Sequence, residues 1–252
     1  VSGESSAENP VSITHPVMVD LTPAAITINT IATDDVINAA EKGADLTLSG
    51  TTTNVEPGQT VTVTFGGKNY TASVASDGSW TATVPAADLA SLPEGSASAQ
   101  ASVSNINGNS ASAVHNYSID SSAPTIIINT VASDNIVNAS EADAGVTVSG
   151  STTAEAGQIV TVTLNSPTVQ TYQATVQADG SWSINIPAAD LEALTDGSHT
   201  LTATVNDKAG NPASTTHNLA VDLTVPVLTI NTIAGDDIIN AAEHGQALVI
   251  SG

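Results

Sequence analysis

The residues best suited to chemistry in this chain are acids and amides grouped in a phrase that occurs three times. The first copy, NTIATDDVINAAEKGADLTLSG, begins at Asn29 and carries two adjacent aspartates, an asparagine and a glutamate. Related copies begin at Asn129 and Asn231. Carboxylate and amide oxygens are the ligands that Ca²⁺ prefers, and crowded carboxylates repel one another unless a cation neutralises them. The phrase therefore predicts a calcium site.

Other cations fit this pattern less well. The chain has no cysteine, and histidine does not recur within the phrase, which disfavours Zn²⁺ and copper. Mg²⁺ prefers fewer protein ligands in octahedral geometry, and the spacing is not that of an EF-hand loop. A purely structural interpretation also stays open, because aspartate and asparagine cap turns and glutamate is often solvated surface.

Composition excludes several classes of function. The 252 residues contain 3 lysines and arginines against 25 aspartates and glutamates, a formal net charge of -22. Nucleic acids and anionic membranes are disfavoured as partners, because binding to them requires cationic side chains. Disorder is disfavoured as well, since 40% of the residues are hydrophobic and many alternate with Thr or Ser. We find no signal peptide and no apolar run long enough to span a membrane.

An internal repeat sets the architecture. The acidic phrases begin 100 and 102 residues apart, and DGSW and PAADL each occur twice at a similar spacing. Strand-like endings recur at Asp20, Asp120 and Asp222, which we call the seam aspartates. Each is followed by a short linker that contains proline. A period near 100 residues is too long for a solenoid and indicates tandem domains.

Each repeat is predicted to consist of strands. Seven stretches, from AITINTIA to SAVHNYSID in the first complete copy, alternate apolar residues with Thr or Ser. Turn signals such as Asp77-Gly78 separate them, and Pro85 with AADL predicts a short helical turn. The predicted fold class is all-β, with tandem immunoglobulin-like β-sandwich domains of about seven strands arranged as a rod.

The phase of the repeat gives domain boundaries. Residues 21–120 and 121–222 are expected to be complete Ig-like repeats. Residues 1–20 are expected to be the final loop and strand of a preceding repeat, and residues 223–252 the first strands of a following, truncated one. The chain therefore reads as a piece of a longer protein.

The seam aspartates are predicted to meet the acidic phrases at the domain junctions. Because Asp20 leads through the linker into the first phrase, we expect it to lie opposite the Asp34-Asp35 pair. Asp207, in the loop NDKAGNP, is expected to face Asp222 and the acidic loop around Asp236, Asp237, Asn240 and Glu243. These pairings depend on which loops share an end of the sandwich.

The phrases NTIAxDDxINAAE, VDxTxP, DKAGNP and DGSWTATVPAADL resemble the bacterial Ig-like repeats of giant Bap-type, type I-secreted surface adhesins. The resemblance covers essentially the whole chain. It implies an exported rod on the bacterial cell surface, stiffened by Ca²⁺ at the junctions between neighbouring repeats. Such repeats extend a terminal adhesive region that supports cell adhesion and biofilm formation.

The resemblance also supplies a set of metal ligands, in which some positions depart from the pattern. Asn135 replaces the second aspartate of the middle copy, and Asn105 and Ser5 stand where Asp207 stands in the later repeat. Sites with these replacements are expected to bind more weakly. The assigned residues are Asp20, Asp34, Asp35, Glu41, Asp120, Asp134, Asn135, Glu141, Asp207, Asp222, Asp236, Asp237 and Glu243.

The leading hypothesis is thus a calcium-stiffened stalk that is not an enzyme. The alternatives are a module that binds glycan or a host or partner protein, and homotypic contact between cells through strand edges. A glycan site usually displays aromatic rings, whereas Trp80 and Trp182 follow strand alternation and are predicted to be core residues. His115 and His217 are predicted to pack on a strand. Any host surface or cell would be contacted through regions outside this segment.

Overall fold

The computed structural model describes residues 2–4, 10–165 and 168–252. The chain forms two compact units. The first comprises Val1–Ala123 with the segment Ala209–Asn211, and the second comprises Pro124–Lys208 with Pro212–Gly252. Each has its own hydrophobic core.

The first unit is built of two sheets with short helices at their connections. Its strands are β1 (Ser2–Glu4), β2 (Pro10–Ser12), β3 (Ala25–Ile26), β4 (Val36–Ile37), β5 (Leu46–Thr53), β6 (Thr60–Phe65), β7 (Lys68–Ser73), β8 (Ser79–Val84), β9 (Gly95–Ser104) and β10 (Ser110–Ile119). Its helices are α1 (Ala39–Lys42) and α2 (Ala86–Leu89). One sheet has the order β3-β5-β8, the other has the order β4-β10-β9-β6-β7, and β1 and β2 form a separate antiparallel pair.

Alternation along the strands produces the sandwich. In β6, Val61, Val63 and Phe65 are buried, whereas Thr60 and Thr64 are exposed. Successive side chains of a strand point to opposite faces, so each sheet gains one apolar face. The two apolar faces enclose a core that includes Trp80. This confirms the predicted all-β, Ig-like sandwich and the buried position of the tryptophan.

The first strand of the repeat is shorter than predicted, and a separate strand in the other sheet follows it. β3 pairs antiparallel with β5, and β4 runs parallel to β10 in the other sheet. A chain that crosses between sheets must leave the first ladder before it joins the second. The crossing loop holds Ala32, Thr33 and Asp35 in left-handed backbone, with φ of 53°, 72° and 66°. The prediction of a strand over the whole of AITINTIA was therefore wrong, because β3 covers only Ala25–Ile26 and the phrase ends in the crossing loop.

A glycine makes room for the core tryptophan. Gly50 lies directly opposite Trp80 in the β5–β8 register. A Cβ on Gly50 would lie 1.9 Å from the Thr27 carbonyl oxygen and 2.6 Å from Trp80 Cζ2. Only a residue without a side chain allows the indole and β3 to approach the backbone this closely. Gly150 and Trp182 repeat the arrangement.

The second unit has the same architecture. Its strands are β11 (Ile126–Ile128), β12 (Ile136–Asn138), β13 (Val146–Thr152), β14 (Ile159–Asn165), β15 (Gln170–Thr175), β16 (Ser181–Ile186), β17 (Gly197–Asn206) and β18 (Pro212–Asp222). Its helices are α3 (Ala139–Ala144) and α4 (Ala188–Glu192). The sheets have the orders β11-β13-β16 and β12-β18-β17-β14-β15.

The short helices occupy equivalent places in the two units. α2 and α4 follow Pro85 and Pro187, as predicted for PAADL. Proline at this place leaves no backbone donor unsatisfied and fixes φ near the helical value. α1 and α3 were not predicted. Each follows an asparagine whose side chain caps its first turn.

The segment 223–252 contains one 3-10 turn, Ile233–Gly235, and no strand is assigned in this described part of the chain. The Asn231 N–H nevertheless donates to the Ser251 carbonyl at 2.8 Å. Asn29 and Asn129 make the equivalent bonds in the earlier copies. The predicted domain boundaries stay predictions.

Candidate functional site at the ends of the repeats

The acidic loops, residues 31–41, 131–141 and 233–243, share one hydrogen-bonding scheme. In the first, Asp34 Oδ1 accepts the backbone N–H of Val36 at 3.0 Å, and Asp35 Oδ1 accepts that of Ile31 at 2.8 Å. Asp134 and Asp236 repeat the bond of Asp34. These carboxylates close the turn, as aspartate side chains commonly do.

The second acidic position needs an acceptor rather than a charge. His115 Nε2 lies 2.6 Å from Asp35 Oδ1, and His217 Nε2 lies 2.7 Å from Asn135 Oδ1. The N–H of Val131 also donates to Asn135, as that of Ile31 does to Asp35. An uncharged amide thus makes the same bonds as the carboxylate. This position therefore serves the fold of the loop, and the histidines fasten the loop to the strand instead of only packing there.

The local environment favours the ionised form of Asp35. The backbone N–H of Ile31, and then the His115 ring, lower the pKa of this carboxyl below its usual value. Asn135 has no titratable group, so the two units differ in this respect.

The glutamate of each loop belongs to a capping box. Asn38 Oδ1 accepts the Glu41 N–H at 3.0 Å, while Glu41 Oε2 accepts the Asn38 N–H at 3.1 Å. Asn138 with Glu141 repeats both bonds, and Asn240 with Glu243 does so in the third copy. One glutamate oxygen thus stabilises the start of the short helix.

The seam aspartates each close a turn into the linker. Asp20 Oδ1 accepts the Thr22 N–H at 2.9 Å, and Asp120 and Asp222 bond the equivalent N–H two residues on. The Thr22 hydroxyl, then its N–H, then the Asn107 amide lower the pKa of Asp20.

The structure changes which acids share an end of a unit. Asn107 Nδ2 donates to Asp20 Oδ2 at 2.6 Å, which places Asp20 beside the loop before β10. The loop of Asp35 lies at the other end of β10, where the Ser118 N–H donates to the Asp35 carbonyl. The ten residues of β10 separate the two ends by about 30 Å. The expected pairing of Asp20 with Asp34-Asp35 is therefore wrong.

The acidic loops of the first and second units lie beside the seam aspartate that ends the same unit. The Asp120 N–H donates to the Ile37 carbonyl at 3.0 Å, and Asn138 is the register partner of Asp222. Asp207 lies just before β18 and Asp222 at its end, so these two do not face each other. The reason is the parallel pairing of β4 with β10 and of β12 with β18, which alternation does not predict.

The loop before the last strand occupies the opposite end. Asn105 Oδ1 accepts the N–H groups of Asn107 and Asn109, and Asn109 Nδ2 donates to the Asp20 carbonyl. Asp207 is the equivalent of Asn105, and both are buried. Ser5 lies outside the described residues.

The fit to a calcium ion rests on oxygen atoms that the turns leave available. Within the described ranges, no three His, Asp or Glu side chains are grouped closely enough to hold a metal ion. Glu41 with Asp120, and Glu141 with Asp222, nevertheless bring two carboxylates to one end of each unit. Each uses one oxygen in its turn or cap bond. Because Ca²⁺ also accepts carbonyls, amides and waters, the residues present fit this ion.

Several acids outside the predicted set have defined partners. Asp88 and Asp190 accept hydrogen bonds from the hydroxyls of Tyr70 and Tyr172. Burial, then the bond to Asp88, raises the pKa of Tyr70 to about 12.

Glu94 and Asp196 contact the residues that follow the seam aspartates. Neither acid was among the residues predicted from the sequence. The available signal was an acid directly before the glycine that opens β9 and β17.

Comparisons with known proteins agree with this architecture. Residues 122–223 match the family described as bacterial Ig-like domain. A Ca²⁺-stabilized adhesin that helps an Antarctic bacterium reach out and bind ice is 33% identical over 99% of this chain, with a TM-score of 0.56. The chain spans 62% of the length of that structure.

A second structure comes from a 1.5-MDa bacterial ice-binding adhesin studied for host cell surface retention. It is 32% identical, with 92% of this chain and 76% of the other covered and a TM-score of 0.52. No curated protein matches the chain. In the described part of the chain, no helix combines the length and apolarity needed to cross a membrane.

Proposed function

Because this chain belongs to the bacterial Ig-like repeats of large adhesins, we propose that it is a stalk segment exposed on a bacterial cell surface. Its role is structural and non-enzymatic: it extends an adhesive region that lies elsewhere in the protein and so supports adhesion and biofilm formation. Ca²⁺ bound where each repeat ends stiffens the segment. This proposal is supported by the similarity of the chain to a Ca²⁺-stabilized adhesin.

The observation that carries the proposal is the parallel pairing of β4 with β10 and of β12 with β18. It brings the helix cap and its glutamate beside the last residue before the linker. In the second unit, Asn138 and Asp222 are direct register partners, and Asn138 forms the capping box with Glu141. A cation held by Glu141 and Asp222 would fix the root of the linker against the sandwich.

The remaining predicted ligands have different proposed roles. Asp34, Asp35 and their equivalents Asp134, Asn135, Asp236 and Asp237 close the loops, and Glu243 belongs to a cap. Asp20 lies beside the loop before β10, and Asp207 lies in the equivalent loop before β18. Each is proposed as a ligand at that end of its own unit.

The test is thermal unfolding of the whole chain in Ca²⁺, in Mg²⁺ and in EGTA. A ligand at about 100 times its dissociation constant stabilises the folded state by about 2.7 kcal/mol. For a domain of this size, that shifts Tm by about 10–20 °C. We expect Ca²⁺ to give this shift and Mg²⁺ to give less, because Mg²⁺ retains its waters.

The double variant Glu141→Gln, Asp222→Asn localises the effect. Amides keep the cap and turn acceptors but remove the charge. We expect the calcium shift of the second unit to decrease, whereas the control Glu192→Gln, an exposed residue of α4, keeps it. An unchanged calcium shift in the double variant contradicts the proposed site, and no shift in the unaltered chain contradicts calcium stiffening.

A further inference from the structure

A carboxylate outside the predicted calcium set holds the first linker residue of the first unit. Glu94 Oε2 accepts the Ser121 N–H at 2.8 Å, and Glu94 Oε1 accepts the Ser121 hydroxyl. Ser121 directly follows Asp120, where the ladder of β10 has ended. Without this contact, the Ser121 N–H would have no ladder partner, so Glu94 replaces the sheet as its acceptor.

The second unit repeats the arrangement with a shorter acid. Asp196 Oδ1 accepts the Leu223 N–H at 2.7 Å, and Asp196 Oδ2 accepts the Thr224 hydroxyl at 2.6 Å. The Leu223 side chain also packs against the core. Two repeats with different acids and different linker sequences thus reach the same bond, which indicates a requirement of the architecture.

The backbone places these acids. Each directly precedes a glycine, Gly95 or Gly197, with φ of 108° or 137°. These glycines pair with Ile119 and Val221 near the ends of the last strands. The residue before the glycine therefore lies beside the point where the chain leaves the sheet, and the left-handed backbone favours glycine at this turn.

In the first unit, a lysine side chain also contacts the carboxylate of Glu94. Lys42 Nζ lies 3.1 Å from Glu94 Oε1 and 3.3 Å from Ser121 Oγ. Its side chain is only 16% exposed. The equivalent residue of the second unit is Ala142, which is buried in the core. The ammonium thus joins α1 to the anchor in one unit and not in the other.

We propose that Glu94 and Asp196 are linker anchors, which set the direction of the chain as it leaves each sandwich without a bound cation. Lys42 adds an ion pair to the first anchor and makes it sensitive to salt. The second anchor rests on the hydrogen bonds of the Asp196 carboxylate, which has no ion-pair partner among the described residues. The Ser121 hydroxyl and N–H lower the pKa of Glu94, and the Thr224 hydroxyl and Leu223 N–H lower that of Asp196, in agreement with this geometry.

The anchors are tested by amide hydrogen exchange of the whole chain, followed by NMR in EGTA. Because no calcium is present, the result is independent of the proposed calcium site. In Glu94→Ala we expect exchange at Ser121 to accelerate about 2- to 10-fold, the factor that corresponds to one hydrogen bond of typical net strength. Exchange at Leu223 stays unchanged. Asp196→Ala should give the reverse pattern.

Two further variants separate the contributions and guard against a folding defect. Glu94→Gln keeps an acceptor for the Ser121 N–H and is expected to accelerate exchange less than Glu94→Ala. Lys42→Met keeps the aliphatic stem but removes the charge, so it should abolish the salt dependence of exchange at Ser121. Protection of core amides such as Val61 reports that the sandwich remains folded.

Unchanged exchange at Ser121 in Glu94→Ala, with the core still protected, overturns the anchor. Equal acceleration at Ser121 and Leu223 in either alanine variant also overturns it, because that pattern reports global loosening. Salt dependence that persists in Lys42→Met refutes the role of the lysine.

Discussion

Replacing Gly50 by alanine tests the packing that both units share. The added Cβ would lie 1.9 Å from the Thr27 carbonyl oxygen, more than 1 Å inside normal contact, and 2.6 Å from the Trp80 ring. Relief requires β3 to move away from β5. The N–H groups of Thr27 and Asn29 donate to β5 carbonyls at 2.8 Å, so that movement breaks two hydrogen bonds.

The expected cost follows from these contacts. Two hydrogen bonds at about 1 kcal/mol each give about 2 kcal/mol, within the range of about 1–3 kcal/mol typical of overpacked cores. A loss of about 2–3 kcal/mol in the free energy of unfolding lowers Tm of the first unit by about 8–20 °C.

Differential scanning calorimetry of the whole chain provides the assay. Because the two units have separate cores, we expect Gly50→Ala to move one transition, and Gly150→Ala to move the other. Gly43→Ala is the matched control, since its Cβ would lie 3.4 Å from the Ala40 oxygen without strain. A Gly50→Ala variant that melts like the Gly43→Ala control would refute the argument from close approach.

Three further predictions concern single contacts. The Ile31 N–H and the His115 ring hold the pKa of Asp35 below its usual value. Asp35 therefore contributes stability above about pH 4, and this contribution is lost as pH falls through the lowered pKa. Asp35→Asn should reduce the loss of stability at acid pH, measured by unfolding experiments between pH 2 and 6. Tyr172→Phe removes the bond to Asp190 and should lower the free energy of unfolding by about 1 kcal/mol in urea titrations. Leu191→Ala, at a fully buried residue of α4, should cost about 2–5 kcal/mol in the same titration, and a cost below 1 kcal/mol would contradict the packing described.

Much of the fold follows from local pattern. Alternation of Val61, Val63 and Phe65 with threonines predicts a half-buried strand, and the proline before AADL predicts the start of a short helix. These signals are local, so they can be recognised in the sequence without knowing which strands become neighbours in the fold. The crossing of the chain from β3 in one sheet to β4 in the other is not local, because it depends on which partner strand each of them meets.

The sequence predicted the residue types of the candidate site but not which of these residues lie close together. Asp20 and Asp35 are close in sequence, yet opposite ends of a ten-residue strand keep them apart. Conversely, Glu94 and Ser121 are distant in sequence and form a hydrogen bond. Charge composition could not distinguish a turn-closing carboxylate from a metal ligand. The substitution of Asn135 for aspartate made that distinction once its contacts were known.

The parallel pairing at the ends of the sandwiches also bears on how a stalk would carry load. The chain enters the second unit through β11 and β12 and leaves it through β18, and β12 lies beside β18 in the same direction. Pulling the two ends apart would slide these strands along each other, so their hydrogen bonds would be strained together rather than opened one by one. In the first unit, the Asp120 N–H bond to the Ile37 carbonyl continues this contact beyond the end of β10. Both units would therefore resist extension through the same parallel contact.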